Sequence, residues 1–480
     1  MINNYLLLWS KCMKSYDLIV LGGGSAGLVG AKLAKGLGKS VLLVEKRYLG
    51  GDCTWYGCVP SKTLLKSAFV AKHIQDADDY GIKGYFDNAD SVFGHVRDVR
   101  AGVYSGETPE VFRNEGIDVV TGEPFFKNEN SIRLNDNSYT AKKFLIATGS
   151  SAFVPPIAGI EDVEYLTNES IFEIEKPPES ITILGGGPIG IEMAFAFRRL
   201  GVSVNVVEKH DRILFNDDIE LTGMLQQTME DEGVNFYLGS EVKEVKKENG
   251  GIQCTVEKKG ENFDISSERL LVATGRKPNI FDMNLEKSGV SFDKKGVHVN
   301  KQLQTDNKNI YAAGDVVAPY KFTHLAENHA IIAVQNMFLP VKKSINYKTL
   351  GWCTYTEPEL AKTGLSAAQA KQKYGENFLT FRFPFDTLDR AVTDGTNTGM
   401  AKIFTDKSYK ILGATILSER AGEIIAAVQI AMDNNVPLYR LDRIIFTYPT
   451  YAQCLKYLAR AAYIHKINNN FFVKLIKKFK

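Results

Sequence analysis

One short device occurs twice in the chain. Residues 18–46, LIVLGGGSAGLVGAKLAKGLGKSVLLVEK, lie over residues 181–209, ITILGGGPIGIEMAFAFRRLGVSVNVVEK, without a gap. Self-similarity of this kind constrains the fold more than composition does, because each copy must build the same supersecondary unit. In both copies a β-branched apolar run meets a glycine turn, the turn opens an amphipathic stretch, and a second apolar run ends on a carboxylate, Glu45 or Glu208. That order predicts a strand, a helix and a parallel strand, twice, and so an α/β architecture.

A lone G-x-G-x-x-G can be no more than a flexible strand-to-helix turn. Here Gly22, Gly24, Gly27 and Gly185, Gly187, Gly190 both follow strands, both open helices, and both precede a carboxylate at the spacing that reaches a ribose. Glycines let a pyrophosphate approach the backbone, where a helix N-terminus offers unpaired N–H groups and the positive end of its dipole. The flanking residues Ser25, Ala26 and Lys46 in the first copy, and Pro188 and Ile189 in the second, belong to the same predicted sites. Glu208 would repel a 2′-phosphate and favours NADH over NADPH, while the adjacent Lys209 acts the other way. Two dinucleotide sites in one chain suggest a flavin and a nicotinamide that exchange electrons.

At 480 residues the chain exceeds what one core organises, so several domains are expected, and the 44% hydrophobic content supplies them. A net charge of +2 argues against nucleic acid as a partner. Six cysteines are too few for a secreted disulfide scaffold, and Cys12, Cys254, Cys353 and Cys454 stand alone, which points to a reducing, cytoplasmic setting. No apolar run approaches the roughly 20 residues of a membrane span, and MINNYLLLWSKCMK has neither a basic n-region nor a cleavage site. The first strand pattern starts after Met13, so residues 1–13 are read as an N-terminal extension.

The remaining two cysteines lie together in GGDCTWYGCVPSK, residues 50–62, ahead of a helical pattern. A helix start and a nearby lysine favour thiolate over thiol, so Cys53 or Cys58 can be nucleophilic at neutral pH. A zinc half-site or two buried thiols are the alternatives. Zinc would want a second ligand pair, and no further Cys or His cluster supplies it.

With these segments in order, residues 14–465 closely resemble the flavoprotein disulfide reductases, the family of dihydrolipoamide dehydrogenase, glutathione reductase and mercuric reductase. The resemblance implies two Rossmann-like domains, one for FAD and one for NAD(P)H, and an α+β C-terminal dimerisation domain. It implies Cys58 as the charge-transfer thiol against the flavin and Cys53 as the interchange thiol, with Lys62 and Glu192 paired beside the flavin. FLIATGS (144–150) and LVATGRKPN (271–279) resemble the two ATG segments, IYAAGDV (310–316) the segment whose aspartate, here Asp315, holds the ribityl chain, and THLAEN (323–328) the helix facing the flavin pyrimidine edge. On this basis Gly51, Asp52, Lys62, Gly122, Thr148, Gly149, Asp315, His324 and Ala326 join the FAD set with Glu45, and Val242 and Gly275 join the NAD set with Glu208. No structural metal site is implied, although Cys53 and Cys58 could hold a metal substrate transiently.

One departure narrows the substrate. Relatives acting on organic disulfides carry a His-Pro segment with a glutamate five residues after the histidine, whereas this chain has Tyr448, Pro449 and Gln453 in FTYPTYAQ (446–453). A histidine near pKa 6.5 exchanges protons at neutral pH, and a tyrosine near 10 is a poor base. Losing a general acid–base typically slows such a step about 10²- to 10⁴-fold. Mercuric reductases resemble this chain in carrying tyrosine there, and reduction of a thiolate-held metal requires no leaving thiol to be protonated. The expected activity is reduction of a metal–thiolate or small oxidant. A lipoamide-type disulfide reductase, and a low-activity flavoprotein recruited through its tail, are the alternatives, and Tyr448 could also be mere packing.

The resemblance, with the segment order, implies an FAD-binding part at 14–150, an NAD(P)H-binding part at 151–275, a return to the FAD part at 276–345 and an interface domain at 346–466, with a tail at 467–480. The resemblance implies a homodimer in which the segment bearing Tyr448 completes the partner's site. In FFVKLIKKFK (471–480) apolar residues share one helical face with lysines opposite, which suits an anionic membrane surface or a partner groove; a terminus packed on its own domain is the plainer reading.

Overall fold

The computed structural model describes residues 14–317 and 319–471. The expected extension at 1–13, and all of the expected basic helix at 471–480 except Phe471, lie outside them. In the first unit, strands Asp118–Thr121, Val41–Glu45, Lys14–Leu21, Asn137–Ile146 and Ile310–Ala312 lie side by side and parallel. Leu18, Ile19, Val20 and Leu21 are all fully buried, because helices cover both faces of such a sheet. A hairpin, Pro124–Asn128 with Ser131–Leu134, extends it antiparallel.

The chain leaves this unit and returns to it through two short strands, Ser150–Ala152 and Arg276–Pro278, paired antiparallel. Between them the second unit repeats the parallel order Asn235–Leu238, Ser203–Glu208, Ser180–Leu184, Arg269–Val272, Tyr165–Leu166. A three-stranded antiparallel sheet, Ser240–Glu248, Gly251–Lys258 and Glu261–Ser267, is attached to it. The C-terminal part is an antiparallel sheet ordered Gly351–Thr354, Glu359–Gly364, Ile411–Ser418, Met400–Asp406, Phe378–Pro384, backed by helices Ala421–Asp433 and Gln453–Asn468.

The third glycine of each motif is a packing requirement. A Cβ on Gly27 would stand 1.8 Å from the Gly22 carbonyl oxygen, and one on Gly190 would stand 1.9 Å from that of Gly185. Both helices therefore press onto their strands as only glycine allows. Helix Cys58–Gln75 joins the two units by lying against helix Pro188–Arg199, with the rings of Phe69 and Phe195 6.0 Å apart. Lys362 and Lys402 of the C-terminal sheet are buried against Asp217 and Asp218 of the second unit, Lys402 at 2.6 Å from Asp218. Among the described residues no helix is long and apolar enough to cross a membrane.

Candidate active site

Four helices begin at one cavity of about 1180 Å³: Ser25–Gly36, Cys58–Gln75, Pro188–Arg199 and Thr323–Phe338. None has a side-chain cap at its start. Elsewhere in the chain Asp218 and Ser366 accept N–H groups at the starts of their helices, as no side chain does at these four. Uncapped N–H groups and four converging positive dipole ends make this cavity a receptor for anions.

The turns are shaped for close approach. Gly22 has φ +108°, and a Cβ there would meet the Ala147 oxygen at 2.3 Å; at Gly187 a Cβ would meet nothing within 4 Å, so backbone is bared to the cavity. Glu45 is fixed at its strand end by accepting the N–H groups of Gly23 (2.7 Å) and Arg47 (2.9 Å). Glu208 accepts those of Gly186 (2.6 Å) and His210 (2.8 Å). Each carboxylate oxygen retains a lone pair for a ribose hydroxyl. Farther along, the Ser150 hydroxyl donates to Asp315 at 2.7 Å, and burial pushes the Asp315 carboxyl above the usual range. Arg276 donates to Asp52 at 2.9 Å and to the Ser150 hydroxyl at 2.8 Å. These features fit two dinucleotides end to end.

Of the residues named from sequence, Gly22, Gly24, Ser25, Ala26, Glu45, Lys46, Gly51, Asp52, Lys62, Thr148, Gly149, Asp315, His324 and Ala326 line the cavity. So do Gly185, Gly187, Pro188, Ile189, Glu208, Val242 and Gly275, together with Cys53, Cys58 and Glu192. Gly27 and Gly190 stand behind their turns as packing positions, and Gly122 lies off the cavity, donating its N–H to the Glu45 carbonyl at 2.9 Å.

Cys53 sits in the short helix Gly51–Trp55, Cys58 is the first residue of the next helix, and both are free thiols. The Cys58 thiol is pushed down to about 6 by its hydrogen bond with Cys53, then by the Thr323 hydroxyl and the Lys62 charge, against burial and Glu192. Cys53 is pushed up by the same hydrogen bond and by burial. The pair thus divides into one thiolate and one thiol. Beside it the Lys62 ammonium lies 2.7 Å from the buried Glu192, whose other oxygen accepts the Tyr355 N–H at 3.0 Å. The ammonium also stands 4.6 Å from the centre of the Tyr355 ring.

Tyr448 and Gln453 are elsewhere. Tyr448 is 65% exposed and its hydroxyl donates to Asp389 at 3.0 Å, which holds the phenol above its usual range. Gln453 is buried at the start of the last helix and accepts the Thr450 N–H at 3.4 Å. Trp55 and Tyr56 line the cavity next to Cys53, and the Trp55 ring is held between Tyr48 (4.6 Å) and Tyr104 (4.8 Å). Sequence reasoning missed Thr323, Arg276 and Tyr355: the first two lay unremarked inside THLAEN and LVATGRKPN, and nothing local marks Tyr355.

Residues 16–334 match the pyridine nucleotide-disulphide oxidoreductase family and residues 351–459 match its dimerisation domain. The chain belongs to the pyridine nucleotide-disulphide oxidoreductases. It is therefore an FAD-binding oxidoreductase that uses NAD(P)H. Among similar proteins are mercuric reductase of Staphylococcus aureus, 33% identical with 92% of this chain and 82% of that protein covered, and dihydrolipoyl dehydrogenase of Thermus scotoductus, 32% identical with 95% and 100% covered. The Cu(II) complex of the HOCl-induced flavoprotein disulfide reductase RclA from Escherichia coli superposes with a TM-score of 0.84 at 25% identity, covering 94% of this chain and all of that one.

Proposed function

We propose that the protein is an NADH-dependent reductase of a thiophilic metal ion or another small oxidant, acting through Cys53 and Cys58. The observation that carries this reading is the pairing of a depressed Cys58 thiol with a Tyr448 whose proton is committed to Asp389 and a Gln453 that caps its own turn. Neither residue can relay a proton to a departing thiolate, so an acceptor that leaves no thiol behind is favoured. The similarity to mercuric reductases supports it, and so does copper in the complex of RclA.

In this reading Gly22, Gly24, Ser25 and Glu45 hold the FAD pyrophosphate and ribose, and Asp315 the ribityl chain. Gly187, Pro188 and Glu208 hold NADH. Bound FAD supplies the two-electron link between nicotinamide and the thiol pair. Lys62, held by its ion pair with Glu192, keeps a positive charge next to the thiolate; Cys53 faces the acceptor. The chain works as a homodimer, which the dimerisation domain supports, and in this reading the segment bearing Tyr448 serves the partner's site. A lipoamide-type activity is the second reading, favoured by the full-length match to dihydrolipoyl dehydrogenase.

The test is NADH consumption by the purified flavoprotein with Hg(II) or Cu(II) as thiol complexes and with lipoamide, in parallel at neutral pH. Metal-dependent turnover with lipoamide near background is the expected result. Brisk lipoamide turnover with inert metals would select the second reading.

A further inference from the structure

The Cys58 sulfur lies where two helices start. Cys58 is the first residue of Cys58–Gln75, Thr323 is the first residue of Thr323–Phe338, and the Thr323 hydroxyl stands 3.3 Å from the sulfur. The same hydroxyl also faces the Cys53 thiol, so Thr323 touches both members of the pair, with Cys58 the sulfur at 3.3 Å. Against a neutral thiol a hydroxyl can donate or accept; against a thiolate it can only donate, and a charge-assisted bond is roughly twice as strong as a neutral one. The groups facing the sulfur are Cys53, Lys62, Glu192 and Tyr355. Lys62 and Glu192 offset each other at 2.7 Å, and burial pushes the Tyr355 phenol up to about 12, so it carries no charge at neutral pH. Thr323 is thus the neutral donor added to two helix N-termini.

This matters because Tyr448 offers no base. We propose that the Thr323 hydroxyl donates to the Cys58 sulfur and holds it as the thiolate, so that the reactive charge is stabilised from within one subunit rather than by a residue of its partner. The inference deepens, and rests on, the reading of Cys58 as the thiolate of the pair. Sulfur and hydroxyl exchange no atoms or electrons; the bond shifts only where the thiol proton resides.

The experiment is alkylation of the NADH-reduced holoenzyme by iodoacetamide across pH, with the labelled cysteine mapped by mass spectrometry and the flavin spectrum recorded for each variant. In the unmodified protein Cys58 labelling rises with a midpoint near 6. Thr323→Val moves that midpoint upward by about one pH unit, as loss of a hydrogen bond to a charged acceptor requires. Thr323→Ser restores it, and Tyr448→Phe leaves it in place. Thr323→Ala carries the same expectation as valine and serves if valine displaces the flavin. An unmoved midpoint in both hydroxyl-free variants overturns the proposal, as does a Thr323→Ser midpoint displaced like that of valine, or a Tyr448→Phe midpoint displaced as far. If the unmodified protein shows the low midpoint on Cys53, or on neither thiol, it is the reading of the pair that fails.

Discussion

Glu45 and Glu208 make the same pair of backbone bonds, to the middle glycine N–H of the turn and to the N–H two residues on, at distances within 0.1 Å of each other: 2.7 and 2.9 Å in the first unit, 2.6 and 2.8 Å in the second. What surrounds them differs. In the first unit the thiol loop folds over the turn so closely that a Cβ on Gly51 would meet the Gly24 Cα at 2.6 Å. In the second unit Gly187 faces open space, Ile189 is 36% exposed, and Lys209 is exposed beside a His210 ring stacked 4.0 Å from the exposed Phe215. One local code therefore yields two behaviours. The covered unit suits a group that stays; the open unit suits one that comes and goes. Cys53 and Cys58 belong to the cover of the first.

The largest expected effect comes from that cover. Cys58→Ser lowers acceptor turnover on the order of 10³-fold or more, because electrons no longer pass from the flavin to the thiol pair, while flavin content is unchanged. Steady-state rates and the 450 nm absorbance check both halves of the statement. Next, Gly27→Ala and Gly190→Ala impose the same clash on the two units, 1.8 and 1.9 Å. Gly27→Ala gives protein short of flavin and less stable to heat, whereas Gly190→Ala stays yellow and raises the KM for NADH at least about tenfold. Equal flavin content and equal KM in the two variants would break the comparison.

Smaller effects sharpen it. Glu208→Ala removes a buried negative charge from the open site and raises the NADPH to NADH ratio of kcat/KM about tenfold. The pH dependence follows from Cys58, whose acid form is disfavoured: the thiolate is present above about 6 and is lost as pH falls through that value, so acceptor turnover declines about tenfold per unit below it. A decline centred near 8 or above would mean that the thiol is unassisted.

The duplicated turns and their carboxylates were legible because they repeat at fixed spacing, and the cysteine loop because two thiols occur in thirteen residues. Local sequence was silent on partners brought from afar. Asn168, which donates to Asp52 at 3.0 Å, and Tyr355, whose N–H meets Glu192, carry no motif, for their positions depend on how three folded units meet. Gly27 and Gly190 were visible as motif members, and their Cβ clashes place them behind the turns rather than against the cavity. The antiparallel C-terminal sheet has no repeat to announce it. Tyr448 and Gln453 were found only as departures from a pattern, and their bonds to Asp389 and Thr450 became apparent in three dimensions.

The central claim is that the altered pair at 448 and 453 turns the thiol centre away from organic disulfides. The most direct measurement is the ratio of kcat/KM for lipoamide to that for a Hg(II) bis-thiolate complex, in the unmodified protein and in Tyr448→His with Gln453→Glu. The account predicts a low ratio that the double substitution raises by about 10²-fold, through recovered proton transfer to the leaving thiolate. A ratio already high in the unmodified protein, or unmoved by the substitution, would contradict it.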